Sequence, residues 1–196
     1  MRANIKQVGP TCSIYALINA LYITTKVKNP SREIADSTVC ELLTNNLIRQ
    51  DGNYYSGLTF TGEFFDFNKL KSFIDNNISF MHEKTIGTEG KYSTSIEDVT
   101  CLEDHDLINS LHNNEVFILF SIYKSNLTSR IKKRIRTFFS TKKPSVQQEN
   151  VISHWVAICG YDYKLSKFIV TDSQEKRLEK YSYQGVFAHP PEKTIL

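Results

Sequence analysis

The chain has 196 residues, a length that fits one domain carrying an elaborated insertion. Hydrophobic residues make up 40% and charged residues 23%, which provides a packed core and excludes intrinsic disorder. The formal net charge is only +3. The residues before Pro10 lack the apolar segment of a signal peptide, and no apolar run is as long as a membrane span. We therefore expect a cytoplasmic protein, or one that enters a host or target cell without a cleavable signal.

The first half of the chain has the apolar spacing of helices. Helices are predicted over Cys12 to Tyr22, Ser31 to Arg49 and Phe65 to Asp75. Ser31 is a plausible N-cap for the second of these helices. The stretch from Asp51 to Gly62 has the composition of a loop, and the stretch from Ile78 to Val99 is less regular.

The second half of the chain predicts one short helix followed by strands. The helix is predicted over Leu102 to Asn113, and the strands over Val116 to Tyr123, His154 to Asp162 and Lys167 to Ser173. Only four residues separate the last two strands, so they form an antiparallel hairpin. Helices first and strands last indicate an α+β fold with separate layers.

Four cysteines occur, and they are not spaced as in zinc motifs. They are also too few for a disulfide scaffold, so free thiols in a reducing compartment are expected, with no metal and no cofactor. Most are expected to be buried as small apolar groups. Cys40, Cys101 and Cys159 are expected to be structural and unpaired. Cys12 requires a separate argument.

Cys12 is the first residue of the first predicted helix. The unpaired N–H groups and the positive end of the helix dipole at that position favour a thiolate, which is the nucleophilic form. The amide N–H of Cys12 is one donor that could bind an oxyanion. Gln7, just upstream, is the candidate for a second donor.

A thiolate nucleophile needs a base that later acts as an acid, and histidine is suited to both steps. Of the five histidines, only His154 begins an apolar strand. Asp172 ends the following strand of the hairpin. Because the start of one hairpin strand lies beside the end of the next, we expect Asp172 to orient the His154 imidazole.

The segments QVGPTCSIYAL, SHWVAICGYD and VTDSQ resemble the papain-like cysteine peptidase clan. Within that clan they are most similar to the bacteriocin-leader-processing peptidases and the actin-maturation proteases. The resemblance covers about 40 residues at the two ends of the chain. It implies a papain-like fold, with a catalytic Cys12 starting a helix of an N-terminal helical layer and with His154 and Asp172 on a C-terminal antiparallel sheet. It also implies that Gln7 contributes to the oxyanion hole.

The first expectation for function is a cysteine protease that hydrolyses a peptide bond in a protein or peptide substrate, with a bacterial effector or toxin as one candidate role. The same triad on the same fold also supports glutamine deamidation, transglutamination and acyl transfer, which remain alternatives. A catalytically silent papain-like module that binds peptides or membranes is an alternative from another class.

A basic segment lies within the insertion expected at about residues 125–150. Residues 130–143 contain seven Lys or Arg and no acid, and apolar residues recur at helical spacing. Such a helix suits an anionic membrane surface or an acidic partner, with Lys132, Lys133, Arg134 and Arg136 as the contact residues. A helix packed on the domain is the simpler alternative. Nucleic acid is a weaker candidate partner, since no recognised module accompanies the charge.

Overall fold

The computed structural model describes residues 4–9, 11–44, 67–98, 102–123, 152–175, 178–181 and 193–196. Within these ranges the chain forms four helices and six strands. The helices are α1 (Cys12–Thr24), α2 (Arg32–Thr44), α3 (Phe67–Ile86) and α4 (His105–Asn113). The strands are β1 (Ile96–Asp98), β2 (Ile118–Tyr123), β3 (Ile152–Asp162), β4 (Lys167–Thr171), β5 (Glu179–Tyr181) and β6 (Lys193–Ile195). The α+β class predicted from the sequence is confirmed.

The six strands form one sheet in the order β1-β6-β2-β3-β4-β5, and every pairing in it is antiparallel. The predicted hairpin is present, because β3 and β4 pair from Asp162–Lys167 to Ala157–Thr171. Strands β1, β5 and β6 were not predicted. Each has three residues, which is too short for an alternation of apolar and polar side chains to be recognised.

The sheet separates two groups of buried side chains, because successive residues of a strand point to opposite faces. Trp155, Ala157 and Cys159 of β3 pack into the larger group with α1 and α3. Val156 and Ile158 pack into the smaller group with α4. Helix α1 is buried all round from its first residue to Tyr22, as expected for a helix enclosed by other elements rather than one with a single apolar face.

Helix α2 confirms its predicted start. The Ser31 side chain accepts a hydrogen bond from the N–H of Ile34 at 3.3 Å, as an N-cap does. The helix runs to Thr44, and the last five residues predicted for it lie outside the described part of the chain.

Helix α3 shows that one prediction was wrong. It continues without a break through the stretch from Ile78 onward that looked irregular. The apolar positions do recur at helical spacing, at Leu70, Phe73, Ile74, Ile78 and Met81, and all five side chains are buried. Asn76 and Asn77 obscured this pattern. Each donates its side-chain amide to the carbonyl four residues earlier, so they are accommodated within the helix.

Helix α4 begins at His105, three residues later than predicted. The reason is that Asp104 is its N-cap, with a side chain that accepts hydrogen bonds from the N–H groups of Asp106 and Leu107. The helix ends as predicted at Asn113, where Asn114 adopts the left-handed conformation with a φ of 64°.

Several predictions fall on residues outside the described ranges. These are the loop over 51–62, the thiol of Cys101 and the whole basic segment with Lys132, Lys133, Arg134 and Arg136. None of the described helices combines the length and apolar character needed to cross a lipid bilayer.

Candidate active site

Cys12 is the first residue of α1, as predicted, and its side chain is buried. The preceding residue, Thr11, makes no side-chain cap hydrogen bond to the helix. Its hydroxyl instead donates to the carbonyl of Val8 at 2.8 Å. The first intrahelical bond runs from Tyr15 N–H to the Thr11 carbonyl, so by position the Cys12 N–H has no acceptor within the helix. That donor is available to a bound substrate oxygen.

His154 lies in β3 beside an irregularity in the sheet. The pairing with β2 shifts by one residue between the pairs Ile122–His154 and Tyr123–Ile152. Such bulges redirect a side chain relative to a regular strand and are frequent next to active sites. The imidazole is 8% exposed and its Nε2 lies 2.7 Å from Oδ1 of Asp172.

The same imidazole lies close enough to Cys12 for the thiol to contribute to its pKa, which brings the three residues together. Burial opposes protonation of His154, but hydrogen bonds to Asp172 and Cys12 and their negative charges outweigh it and raise its pKa to about 9. A protonated imidazole beside the sulfur provides the positive charge that a thiolate needs.

Asp172 follows the last residue of β4 and is held as a carboxylate. Burial would raise its pKa, but the hydrogen bond from His154 and the one from the Gln174 N–H lower it below its usual range. The Gln174 N–H bond measures 2.7 Å. Because Oδ1 binds Nε2 of His154, the Nδ1 edge of the ring is the one available to the thiol. Gln174 also reaches that edge, with its Nε2 at 3.3 Å from Nδ1.

Gln7 is anchored next to the peptide that precedes Cys12. Its side-chain Nε2 donates to the carbonyl of Gly9 at 2.8 Å, and the same oxygen accepts the N–H of Thr11 at 3.0 Å. Gly9 has a φ of +67°, which a residue with a side chain adopts only at a cost. A Cβ at that position would meet nothing within 4 Å, so the space above this turn is open to a substrate.

The polar residues that fix the position of Gln7 were not predicted from the sequence. Ser173 bonds to Gln7 through both its carbonyl and its hydroxyl. Asn4 donates to the carbonyl of Asp172 and accepts the hydroxyl of Thr171. Asn19, on a largely apolar helix, binds both main-chain groups of Ile5. The only signal in the sequence is an asparagine among apolar residues, which is weak.

The other histidines in the described ranges have different partners. His82 contacts Tyr92 and Thr88, and burial lowers its pKa. His105 contacts Asn109, and His112 contacts the carbonyl of Tyr161. His189 lies outside the described residues.

Two further thiols can be compared with Cys12. Cys159 is free and buried, and its burial raises the pKa of its thiol. Cys40 is free, as expected, but it is exposed, unlike the two buried thiols. It lies on the side of α2 that faces away from the core. Among the described residues no group of three His, Cys, Asp or Glu side chains is arranged to hold a metal ion.

A cavity of about 590 Å³ lies elsewhere, at the other end of α1 from Cys12. It is lined by Thr24 and Thr25 of that helix end, by Tyr92 and by Phe117, among others. None of Cys12, His154, Asp172 and Gln7 contributes to it. Its position therefore separates it from the candidate active site.

No protein-family model matches this sequence, and no curated protein matches it.

Proposed function

We propose that this protein is a papain-like cysteine hydrolase and that its substrate is a peptide bond in a protein. The observation that carries the proposal is the imidazole of His154, which lies 2.7 Å from Asp172 and close enough to Cys12 for the thiol to raise its pKa. The base is thereby placed between a nucleophile and a group that orients it. The α+β fold, with the thiol at the start of a buried helix and the imidazole on an antiparallel sheet, supports the papain-like assignment.

In the first step the Cys12 thiolate attacks the carbonyl carbon and a carbon–sulfur bond forms. The carbonyl electron pair moves to oxygen, and the N–H of Cys12 and Nε2 of Gln7 bind that oxyanion. The imidazolium of His154 gives its Nδ1 proton to the leaving nitrogen, and the carbon–nitrogen bond breaks. A thioester and a free amine result.

In the second step water attacks the thioester. His154, now neutral, accepts a proton from that water at Nδ1, and the carbon–sulfur bond breaks to release a carboxylic acid. The thiolate and the imidazolium are restored. Asp172 keeps its charge throughout and holds Nε2, so that Nδ1 remains directed toward the reaction.

The first experiment tests whether Cys12 is a nucleophile. Iodoacetamide at mildly acidic pH is expected to alkylate Cys12 before the other thiols, because a thiolate reacts and a neutral thiol does not. The matched control is Cys40→Ser, which removes an exposed thiol and is expected to leave the labelling of Cys12 unchanged. Labelling of Cys40 alone, with Cys12 unreacted in folded protein, would contradict the proposal and favour a silent binding module.

The second experiment identifies the reaction. Mass spectrometry of a proteome treated with wild-type protein or with Cys12→Ala is expected to show new peptide termini that only the wild type produces. Conversion of Gln or Asn side chains to acids, without new termini, would instead identify a deamidase. Gln side chains joined to amines would identify a transglutaminase.

A further inference from the structure

The orientation of the Gln7 side-chain amide is determined by its hydrogen bonds. The Gly9 carbonyl can only accept a hydrogen bond, so the atom 2.8 Å from it must be the amide nitrogen. The other terminal atom of Gln7 is then the oxygen, and it accepts the hydroxyl of Ser173 at 2.6 Å. A flipped amide would place two acceptors against each other at Gly9.

Ser173, which binds the Gln7 oxygen, is itself fixed in position. Its side chain is fully buried, and its carbonyl accepts the main-chain N–H of Gln7 at 2.8 Å. Main chain and side chain of Ser173 therefore both bind Gln7. The residue next to it, Asp172, binds His154 through its side chain. The chain turns here, with the Glu175 N–H donating to the Asp172 carbonyl at 3.0 Å, and this short segment reaches both Gln7 and His154.

We propose that Ser173 is a positioning residue that holds the Gln7 amide against rotation, so that its second N–H stays directed toward the substrate oxyanion. This inference rests on the proposed function. Nε2 of Gln7 has two N–H groups, and Gly9 uses one of them. The second is the donor for the oxyanion. Without the Ser173 hydroxyl, the amide is held only through Gly9, and it can turn about that single hydrogen bond so that its second N–H no longer points at the oxyanion.

The test compares two reactions of the same thiol. Alkylation by iodoacetamide needs the thiolate but forms no oxyanion. Acylation by a p-nitrophenyl ester needs the thiolate and also needs donors that stabilise an oxyanion. Ser173→Ala is expected to keep the alkylation rate within about twofold of wild type and to lower kcat for the ester about tenfold, with KM unchanged, since loss of an oxyanion donor acts on the transition state. Thr38→Val, which removes a buried hydroxyl that bonds within α2 to the carbonyl of Ile34, is the matched control and is expected to leave both rates unchanged.

A double-mutant cycle shows whether Ser173 acts through Gln7. In a Gln7→Ala background, Ser173→Ala is expected to have no further effect on acylation. If Ser173→Ala lowered the acylation rate equally in both backgrounds, or did not lower it in the wild-type background, the inference would be overturned and the proposed function would remain intact. A wild-type Cys12 that reacts with neither reagent would instead overturn the proposed function. If Ser173→Ala does not fold, Ser173→Cys retains a weak donor of similar size, and its acylation rate is expected to lie below wild type with unchanged alkylation.

Discussion

Asp172 binds Nε2 of His154, so the two ring nitrogens have separate roles. One is held by a carboxylate and the other faces the thiol. The pKa of His154 is raised to about 9 in spite of burial, and the hydrogen bond to Asp172 is the first of the interactions that raise it. The carboxylate therefore influences both the direction and the protonation of the base.

Replacing Asp172 by Asn keeps the shape of the side chain and removes its charge. We expect the pKa of His154 to fall from about 9 toward 6.5 or lower, because burial is then opposed by fewer interactions. Acylation by an ester is expected to fall about 10- to 100-fold, with some activity remaining, since this residue orients the base rather than reacting. NMR titration of the imidazole, assigned by comparison with His154→Gln, measures the pKa. An unchanged titration would refute the role given to Asp172.

The raised pKa also predicts how stability depends on pH. A group with a raised pKa in the folded protein stabilises it fully below the unfolded value of 6.5, and this contribution is lost as the pH rises through about 9. The difference in the free energy of unfolding between wild type and His154→Gln is therefore expected to be largest near about pH 5 and to shrink by about pH 10. Urea denaturation at several pH values measures it.

His82 provides a control with the opposite sign. Burial lowers its pKa, so the folded protein favours the neutral ring, and protonation at low pH destabilises the fold. The stability of wild type relative to His82→Gln is expected to increase as the pH rises through about 6.5. If the stability of wild type relative to each variant depended on pH in the same way, the pH dependence would not come from the raised pKa of His154.

The sequence was sufficient to predict the proximity of His154 and Asp172, because a short connection between two strands determines which ends meet. The start of α1 at Cys12 followed from the turn before it. In both cases the relevant residues are near in sequence or belong to one hairpin. The proximity of Cys12 and His154, which are far apart in sequence, could be predicted only because a thiolate nucleophile needs a base beside it.

The attachment of the N-terminal segment could not be predicted in this way. Gln7 and Ser173 are separated by 166 positions, and neither lies in a stretch with periodic apolar residues. Their contact depends on how the segment before α1 packs against the end of β4. The full length of α3 was not predicted for a different reason. Asn77 lies on the buried side of the helix, and this polar residue interrupts the spacing of apolar residues there.

Asn19 is expected to stabilise the N-terminal segment. Its side chain is 3% exposed and binds the N–H of Ile5 at 2.9 Å and the carbonyl of Ile5 at 3.0 Å. In Asn19→Ala both buried main-chain groups lose their partner, at roughly 1–3 kcal/mol for each. We expect a clear fall in the free energy of unfolding, measured by urea denaturation. Asn76→Ala, which removes an exposed side-chain bond within α3, is the control and is expected to change stability by less than about 0.5 kcal/mol.

Gln174 is expected to tune the protonation of His154. Its Nε2 lies 3.3 Å from Nδ1, and an N–H can donate only to the unprotonated nitrogen, so this contact favours the neutral ring. In Gln174→Ala the imidazolium is relatively more stable, and we expect the pKa of His154 to rise. The shift is expected to be about half a pH unit, because a part-buried hydrogen bond of this kind contributes about 1 kcal/mol or less and one unit corresponds to about 1.4 kcal/mol. Gln174→Glu is expected to raise the pKa further, since a carboxylate stabilises the charged ring. NMR titration of His154 in the three proteins measures the order, and a lower pKa in Gln174→Ala than in wild type would show that the amide presents its oxygen to a protonated Nδ1.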